Sequence, residues 1–246
     1  MNIKLRHKIL LIIPAYNEEK SIQDTCNTIL QYNKANKTNY DFVVINDGST
    51  DKTSETCTNN KLPCINLCAN TGIGGAVQTG YKYAHENNYD IAIQFDGDGQ
   101  HDVAYVKNLV EPIINQQADL TIGSRFIDET SSEFKSSGAR RAGIRLISFF
   151  IKLSTRKKVL DTTSGFRAAN KKVIKKFACN YPPEYAEPIS IVNILKNKYK
   201  IKEVPVSMNE RKEGVSSIRA WKTVYYMLNV ICLIIIEAVG GYKNEY

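Results

Sequence analysis

The sequence predicts an α/β fold: a mostly parallel sheet covered by helices on both faces. Three observations predict it. Short apolar runs alternate with stretches of helical period, as βαβ units require. Each run is apolar throughout instead of alternating in and out, the pattern of strands buried on both faces. Each also stops abruptly at a turn bearing Asp, Asn or Gly, and in such sheets ligands bind beyond the carboxyl ends of the strands.

In chain order, Lys8 to Ile13 is the first strand, ending at Pro14-Ala15-Tyr16-Asn17-Glu18-Glu19. A helix is predicted from Glu18 to about Tyr32. Asp41 to Ile45 repeats the form and ends in Asn46-Asp47-Gly48-Ser49-Thr50-Asp51, where Ser49 or Thr50 can cap the next helix. A short strand from Cys64 to Cys68 leads to Asn70-Thr71-Gly72-Ile73-Gly74-Gly75-Ala76 and a helix to about Asn87. A fourth strand runs into Phe95, Asp102 to Gln116 reads as helix, and Asp119 to Arg125 as a fifth strand. Asp128 to Gly138, polar and Ser-rich, reads as a loop within one domain.

The fourth strand ends in Asp96-Gly97-Asp98-Gly99-Gln100-His101. Residues two apart on an extended chain point to one side, so Asp96, Asp98 and Gln100 can offer oxygens to a single point. Hard oxygen ligands suit Mg²⁺ or Mn²⁺, which also bind substrate phosphates, so the stretch reads as a metal-diphosphate site. A calcium loop fits poorly, because its fifth, sixth and twelfth positions fall on Gln100, His101 and Lys107. Gly72-x-Gly74-Gly75 has the wrong spacing for a dinucleotide fingerprint and follows the third strand, which argues against a dehydrogenase.

The formal charge of +8 asks for an acidic partner. No helix-turn-helix, zinc-finger or aromatic RNA-binding signature is present, so nucleic acid gives way to an anionic lipid surface or a phosphorylated substrate. Six cysteines scattered through a chain without a signal peptide imply reduced thiols in the cytoplasm. Cys64 and Cys68 lack a second pair nearby, which excludes a zinc site.

Five motifs in order then carry a resemblance: Pro14-Ala15-Tyr16-Asn17-Glu18, Asn46 to Asp51, Asp96 to His101, Gly123-Ser124-Arg125-Phe126 and Thr163-Ser164-Gly165-Phe166-Arg167. The stretch from Ile9 to Ser217 resembles the inverting glycosyltransferase family 2, of GT-A fold, and within it the dolichol- or polyprenyl-phosphate sugar transferases. That resemblance implies a nucleotide-sugar donor, with Pro14, Tyr16, Glu18 and Asp47 around the base and ribose and Gly74 a further donor-binding residue. It also implies Mg²⁺ or Mn²⁺ and the diphosphate on Asp96, Asp98 and Gln100. Arg211, within Arg211 to Ser217, resembles the family's Arg-containing loop over the donor diphosphate.

Two acceptors remain open. A lipid phosphate is already anionic and needs cations rather than a base. Arg125, Arg140 or Arg141, Arg167 and Arg211, with the hydroxyl of Ser164, suit it. A sugar hydroxyl needs a carboxylate as general base. Glu187, just before a helix predicted from Ile189 to Lys198, is the first candidate, with Glu184 and Asp161 behind it; its alternative role is to sit favourably at a helix N-terminus. Leu146 to Leu153 is a helix whose broad apolar surface can face core or lipid, core being the default.

Ala220 to Glu237 is strongly apolar but interrupted by Asn229 and Glu237, short of the roughly 20 apolar residues of a spanning helix. It can lie in a membrane interface or meet an oligomer or membrane-protein partner, with Trp221, Tyr225 and Tyr226 at headgroup depth. The expected organisation is a GT-A catalytic domain over 1–217 and an apolar contact helix within 218–246, peripheral on the inner face of the cell membrane. The expected reaction is metal-dependent sugar transfer to polyprenyl phosphate. Transfer to a hydroxyl of a lipid-linked saccharide is the alternative, and an inactive sugar-nucleotide-binding partner subunit is the reading from another class.

Overall fold

The computed structural model describes residues 7–127, 138–208 and 220–240, the side chains of 138–140 and 220–225 excepted. Seven strands form one sheet in the order β3-β2-β1-β4-β6-β5-β7. They are β1 (Ile9–Ala15), β2 (Tyr40–Asn46), β3 (Cys64–Asn66), β4 (Ile91–Gln94), β5 (Leu120–Ser124), β6 (Arg167–Asn170) and β7 (Ile201–Pro205). The α-helices are α1 (Ile22–Asn36), α2 (Thr53–Asn59), α3 (Gly72–Glu86), α4 (Val106–Ile114), α5 (Gly138–Thr155), α6 (Lys171–Cys179), α7 (Ala186–Lys196) and α8 (Ala220–Gly240).

Strand β1 shows why its sequence is uninterrupted by polar residues. Leu11 and Ile13 enter a core cluster with Ile22 and Ile29 of α1 and Val106 and Leu109 of α4. Leu10 and Ile12, pointing the other way, pack with Val77 and Tyr81 of α3 and Ile174 and Phe177 of α6. All four are fully buried, each contributing about 1.5–3 kcal/mol of transfer free energy. A third cluster joins Ile147 and Ile151 of α5, Ile191 of α7, and Val230 and Ile234 of α8.

The sheet is mixed, because β6 runs antiparallel to both β4 and β5. The motif ending at Arg167 runs into this strand, Arg-Ala-Ala-Asn, which lacks the apolar run that marks its neighbours. Helix boundaries also shift. Helix α1 begins at Ile22, later than predicted, because the Glu18 and Glu19 amides donate to Thr53 Oγ1 and Asp51 Oδ2 across the β2 loop. Ser49 and Thr50 do not cap α2: the Ser49 hydroxyl accepts the Asn17 amide, and the Thr50 amide donates to Asn17 Oδ1. Strand β3 stops at Asn66, short of Cys68. The stretch read as one helix from Asp102 starts as a 3-10 turn, Val103–Tyr105, with Asp102 accepting the Ala104 amide, and becomes α4 only at Val106.

The two polar interruptions of α8 are tie points to the α7 region. Asn193 Nδ2 donates to Glu237 Oε1 at 2.7 Å, and Asn229 Nδ2 to the Tyr185 hydroxyl at 3.3 Å. Among the described residues, no helix is long and apolar enough to cross a membrane.

Candidate active site

The loops after β1, β2 and β4, with the start of α3, enclose a polar pocket of about 520 Å³. Its walls hold Pro14, Tyr16 and Glu18 from the β1 loop, Asp47 from the β2 loop, and Asp96 and Asp98 from the β4 loop. Glu187, in the first turn of α7, lines the same pocket. Four chain segments at one edge of the sheet therefore meet, and two more join them, α7 and the loop of Thr163 and Gly165.

The β1 and β2 loops are cross-bonded, as the Asn17, Ser49 and Thr53 contacts show. Asp47 closes this corner: its amide donates to Ala15 O, and its Oδ1 accepts both the amide and the hydroxyl of Thr71, each at 2.7 Å. A carboxylate at the start of α3 satisfies an otherwise unpaired amide and faces the positive end of the helix dipole. This explains why α3 starts inside the glycine stretch, at Gly72. Gly74 does not line the pocket: a Cβ there would lie 2.4 Å from the carbonyl oxygens of Pro182 and Pro183, so it is a packing contact with the segment leading to α7.

Asp96 is held from three sides. Its amide donates to His101 Nδ1 at 2.9 Å, and His101 Nε2 lies 3.5 Å from Asp96 Oδ2. The imidazole is stacked on Phe166 at 4.5 Å and meets Phe95 edge-on at 5.6 Å. Burial pushes its pKa down to about 4, Asp98 opposing the shift and Arg125 adding to it. His101 is thus a neutral ring, and an accepting Nδ1 leaves the proton on Nε2, toward the carboxylate. Gln94 Nε2 reaches Asp96 Oδ1 at 3.4 Å. On the third side is Gly165, where a Cβ would lie 2.7 Å from Gln94 Nε2 and 3.3 Å from Asp96 Oδ2.

Gly165→Ala must therefore displace the Gln94 amide and with it Asp96. Turnover is expected to fall by roughly 10- to 100-fold, since a misplacement near 1 Å has that cost. The protein should remain folded by circular dichroism; a kcat equal to wild type would show that the approach is unimportant.

Asp98 Oδ1 accepts the Gln100 amide at 3.0 Å, a local turn that leaves its carboxylate in the pocket wall. The Gln100 side chain does not line the pocket. Among the described residues no three His, Cys, Asp or Glu side chains gather as a metal cluster. Two carboxylates are nonetheless a fitting donor set for a small hard cation that fills its other positions with water and phosphate oxygens.

The arginines are placed differently from expectation. Arg125, 7% exposed, is bound to the fully buried Asp161, Nε to Oδ2 at 2.7 Å and Nη2 to Oδ1 at 2.8 Å. Arg125 Nη2 also donates to Thr163 Oγ1, while Glu203 accepts the amides of Leu160 and Asp161. Asp161, a reserve candidate for the base, is thus committed to Arg125, and the pair fixes the loop that brings Thr163 and Gly165 into the pocket wall. Arg167, 1% exposed, donates from Nε to Ser164 O, and from Nη1 to Glu187 O and Ser190 Oγ. Among the described residues its Nη2 has no hydrogen-bond partner, nor has the buried Ser164 Oγ. Arg125, Ser164 and Arg167 do not line the pocket; Glu184 is exposed and outside it. Arg211 and the side chain of Arg140 lie outside the described residues.

Gln94, His101 and Ser190 were not singled out by sequence reasoning. Only His101 carried a signal, its position three residues after Asp98.

Fold and site together define a glycosyltransferase of the GT-A type. More particularly, the chain belongs to glycosyl transferase family 2, whose sequence profile matches residues 10–178. It is 34% identical to the UDP-N-acetylglucosamine--dolichyl-phosphate N-acetylglucosaminyltransferase of Methanococcus voltae, over 80% of this chain and 84% of the relative. It is 30% identical to the dolichol-phosphate mannosyltransferase of Pyrococcus furiosus, over 91% of this chain and 62% of that longer one. Among solved structures, glucosyl-3-phosphoglycerate synthase from Mycobacterium tuberculosis, in complex with Mn²⁺, uridine diphosphate and phosphoglyceric acid, shares the fold. Its TM-score is 0.70 at 18% identity, over 94% of this chain and 78% of the other.

Proposed function

We propose that this enzyme transfers one sugar, with inversion, from a nucleotide-sugar donor to polyprenyl phosphate at the inner face of the cell membrane. The observation that carries the reading is the Asp96/Asp98 pair, set in one pocket with Glu18 and Asp47 beyond the carboxyl ends of the strands. The acceptor is supported by the relatives, whose names specify dolichyl phosphate.

In this reading Pro14, Tyr16, Glu18 and Asp47 form the nucleoside side of the pocket. Asp96 and Asp98, with Gln100 as a further candidate, would hold Mg²⁺ or Mn²⁺ against the donor diphosphate. When bound, the cation neutralises charge on the departing nucleoside diphosphate. The acceptor phosphate oxygen bonds to the anomeric carbon as the bond to the diphosphate breaks, and no proton need be removed. Arg125 and Arg167 shape the acceptor side through Asp161 and Glu187, which leaves Arg140 and Arg211 as the cations for the phosphates. Residues 1–217 are the catalytic part, and the apolar segment within 218–246 is left for an oligomer or membrane-protein contact.

The presence of Glu187 in the pocket favours a second reading, transfer to a hydroxyl of a lipid-linked saccharide with Glu187 as base. Glu187→Gln separates the two. Transfer to polyprenyl phosphate should stay within a few-fold of wild type, whereas transfer to a hydroxyl should fall by about 10²- to 10⁴-fold. The measurement is radiolabelled sugar transfer from a panel of nucleotide sugars, with Mg²⁺ or Mn²⁺ and short polyprenyl phosphate. No glycosyl lipid from any donor would remove the first reading; donor binding without transfer to any lipid fraction would favour an inactive partner subunit.

A further inference from the structure

The sequence left the apolar surface of α5 to core or lipid, and the structure divides it. Ile144, Ile147 and Ile151 are buried as assigned, but Leu146, Phe149 and Leu153 are 42%, 58% and 68% exposed. Spaced three and four apart, they form one stripe along the helix. Beside it opens a groove of about 470 Å³, lined by Phe126, Ile144, Phe149 and Leu160 and by four cations, Arg141, Arg145, Lys152 and Lys158. Among the described residues no carboxylate lines it, and it shares no residue with the donor pocket. The charge bias extends along the chain: between residues 138 and 160 there are seven Lys or Arg and no Asp or Glu.

We infer that this face of α5 docks on an anionic lipid surface, with Leu146, Phe149 and Leu153 in the headgroup boundary and the cations against lipid phosphates. An apolar stripe edged by basic residues is the chemistry of an interfacial helix. Phe126 and Leu160 widen the apolar floor, and the aliphatic stems of Arg145 and Lys152 can lie along it while their charges reach lipid phosphates. A second copy of this chain is a poor occupant, since a two-fold interface on this face would oppose cations to cations. Helix α8 also exposes apolar residues, Leu228, Ile235, Ile236 and Val239, but its one cation, Lys222, lies six residues before the first of them and Glu237 lies among them, so the cation density favours α5. The inference deepens the proposed membrane location and rests on that reading only for its biological use, because docking itself requires no donor or acceptor.

The test is sedimentation of the full chain with vesicles of phosphatidylcholine alone or mixed with phosphatidylglycerol. Binding is expected to the mixed vesicles, weakening as salt shortens the screening length. The pairs Phe149→Ser/Leu153→Ser and Lys152→Glu/Lys158→Glu are each expected to lower partitioning by about tenfold or more. Thermal transitions should be unchanged, and so should transfer to a short acceptor in detergent. Leu228→Ser/Ile236→Ser is expected to bind as wild type. Wild-type protein left in the supernatant, α5 variants that bind normally, or binding lost only with the α8 pair would each overturn the inference. Transfer in detergent reports on the proposed reaction independently, so vesicle binding without transfer would sink that reaction and leave the docking face standing.

Discussion

Asp98→Asn is expected to lower sugar transfer by about 10²- to 10³-fold, the usual loss when one preorganised electrostatic contact to a developing charge is removed. The substitution keeps the local turn. Asparagine has the same shape, and its carbonyl oxygen can still accept the Gln100 amide that Asp98 Oδ1 accepts at 3.0 Å. What disappears is one negative charge in a wall already shared with Asp96. Affinity for Mn²⁺, measured by titration in the presence of nucleoside diphosphate, should fall in parallel, with no change in thermal transition. Transfer retained at wild-type rate would show that the acid pair is not the diphosphate-metal centre.

That site was legible in the sequence because strand ends and ligand chemistry both leave local marks. The runs of β1, β2 and β4 are apolar on both faces since helices cover both sides of the sheet, and such strands must end where their loops can meet. Strand β6 left no such mark. It is held by register, Arg167 opposite Gln94 and Ile122, and only knowledge of its neighbours makes Arg-Ala-Ala-Asn a strand. Helix starts were misplaced for a related reason: Ser49, Thr50 and Asp51 are cap-forming types, but their hydrogen bonds go in part to a loop some thirty residues away. The fates of the arginines were also hidden. Type and motif marked Arg125 and Arg167 as phosphate cations, whereas the tertiary structure gives Arg125 to Asp161 and turns Arg167 inward. On α5 the apolar count was legible but its division was not: a stripe does not declare what will cover it, and only the structure separates the buried Ile147 and Ile151 from the exposed Phe149 and Leu153.

Arg167 is where sequence and structure assign most different roles, and its replacement decides between them. As a phosphate cation, it would tolerate lysine with a raised acceptor KM and an unchanged thermal transition. The structure gives it the role of a clamp. Arg167 is 1% exposed, and its guanidinium bridges Ser164 O on one side of Gly165 to Glu187 O and Ser190 Oγ at the start of α7. Ser190 also donates to Glu187 O, so one partner is retained when Arg167 is removed. Neither Gln nor Lys can span all three acceptors, and each buried acceptor left unpaired costs about 1–3 kcal/mol. Arg167→Gln is accordingly expected to destabilise the fold by about 3 kcal/mol, lowering the thermal midpoint by roughly 6–12 °C for a chain of this size. The surviving folded protein should show reduced kcat with a near-normal donor KM, because Gly165 and Glu187 lose their common anchor while Glu18 and Asp47 do not. Arg167→Lys should recover only part of the stability. A lysine variant as stable as wild type but defective toward acceptor would return Arg167 to the phosphate.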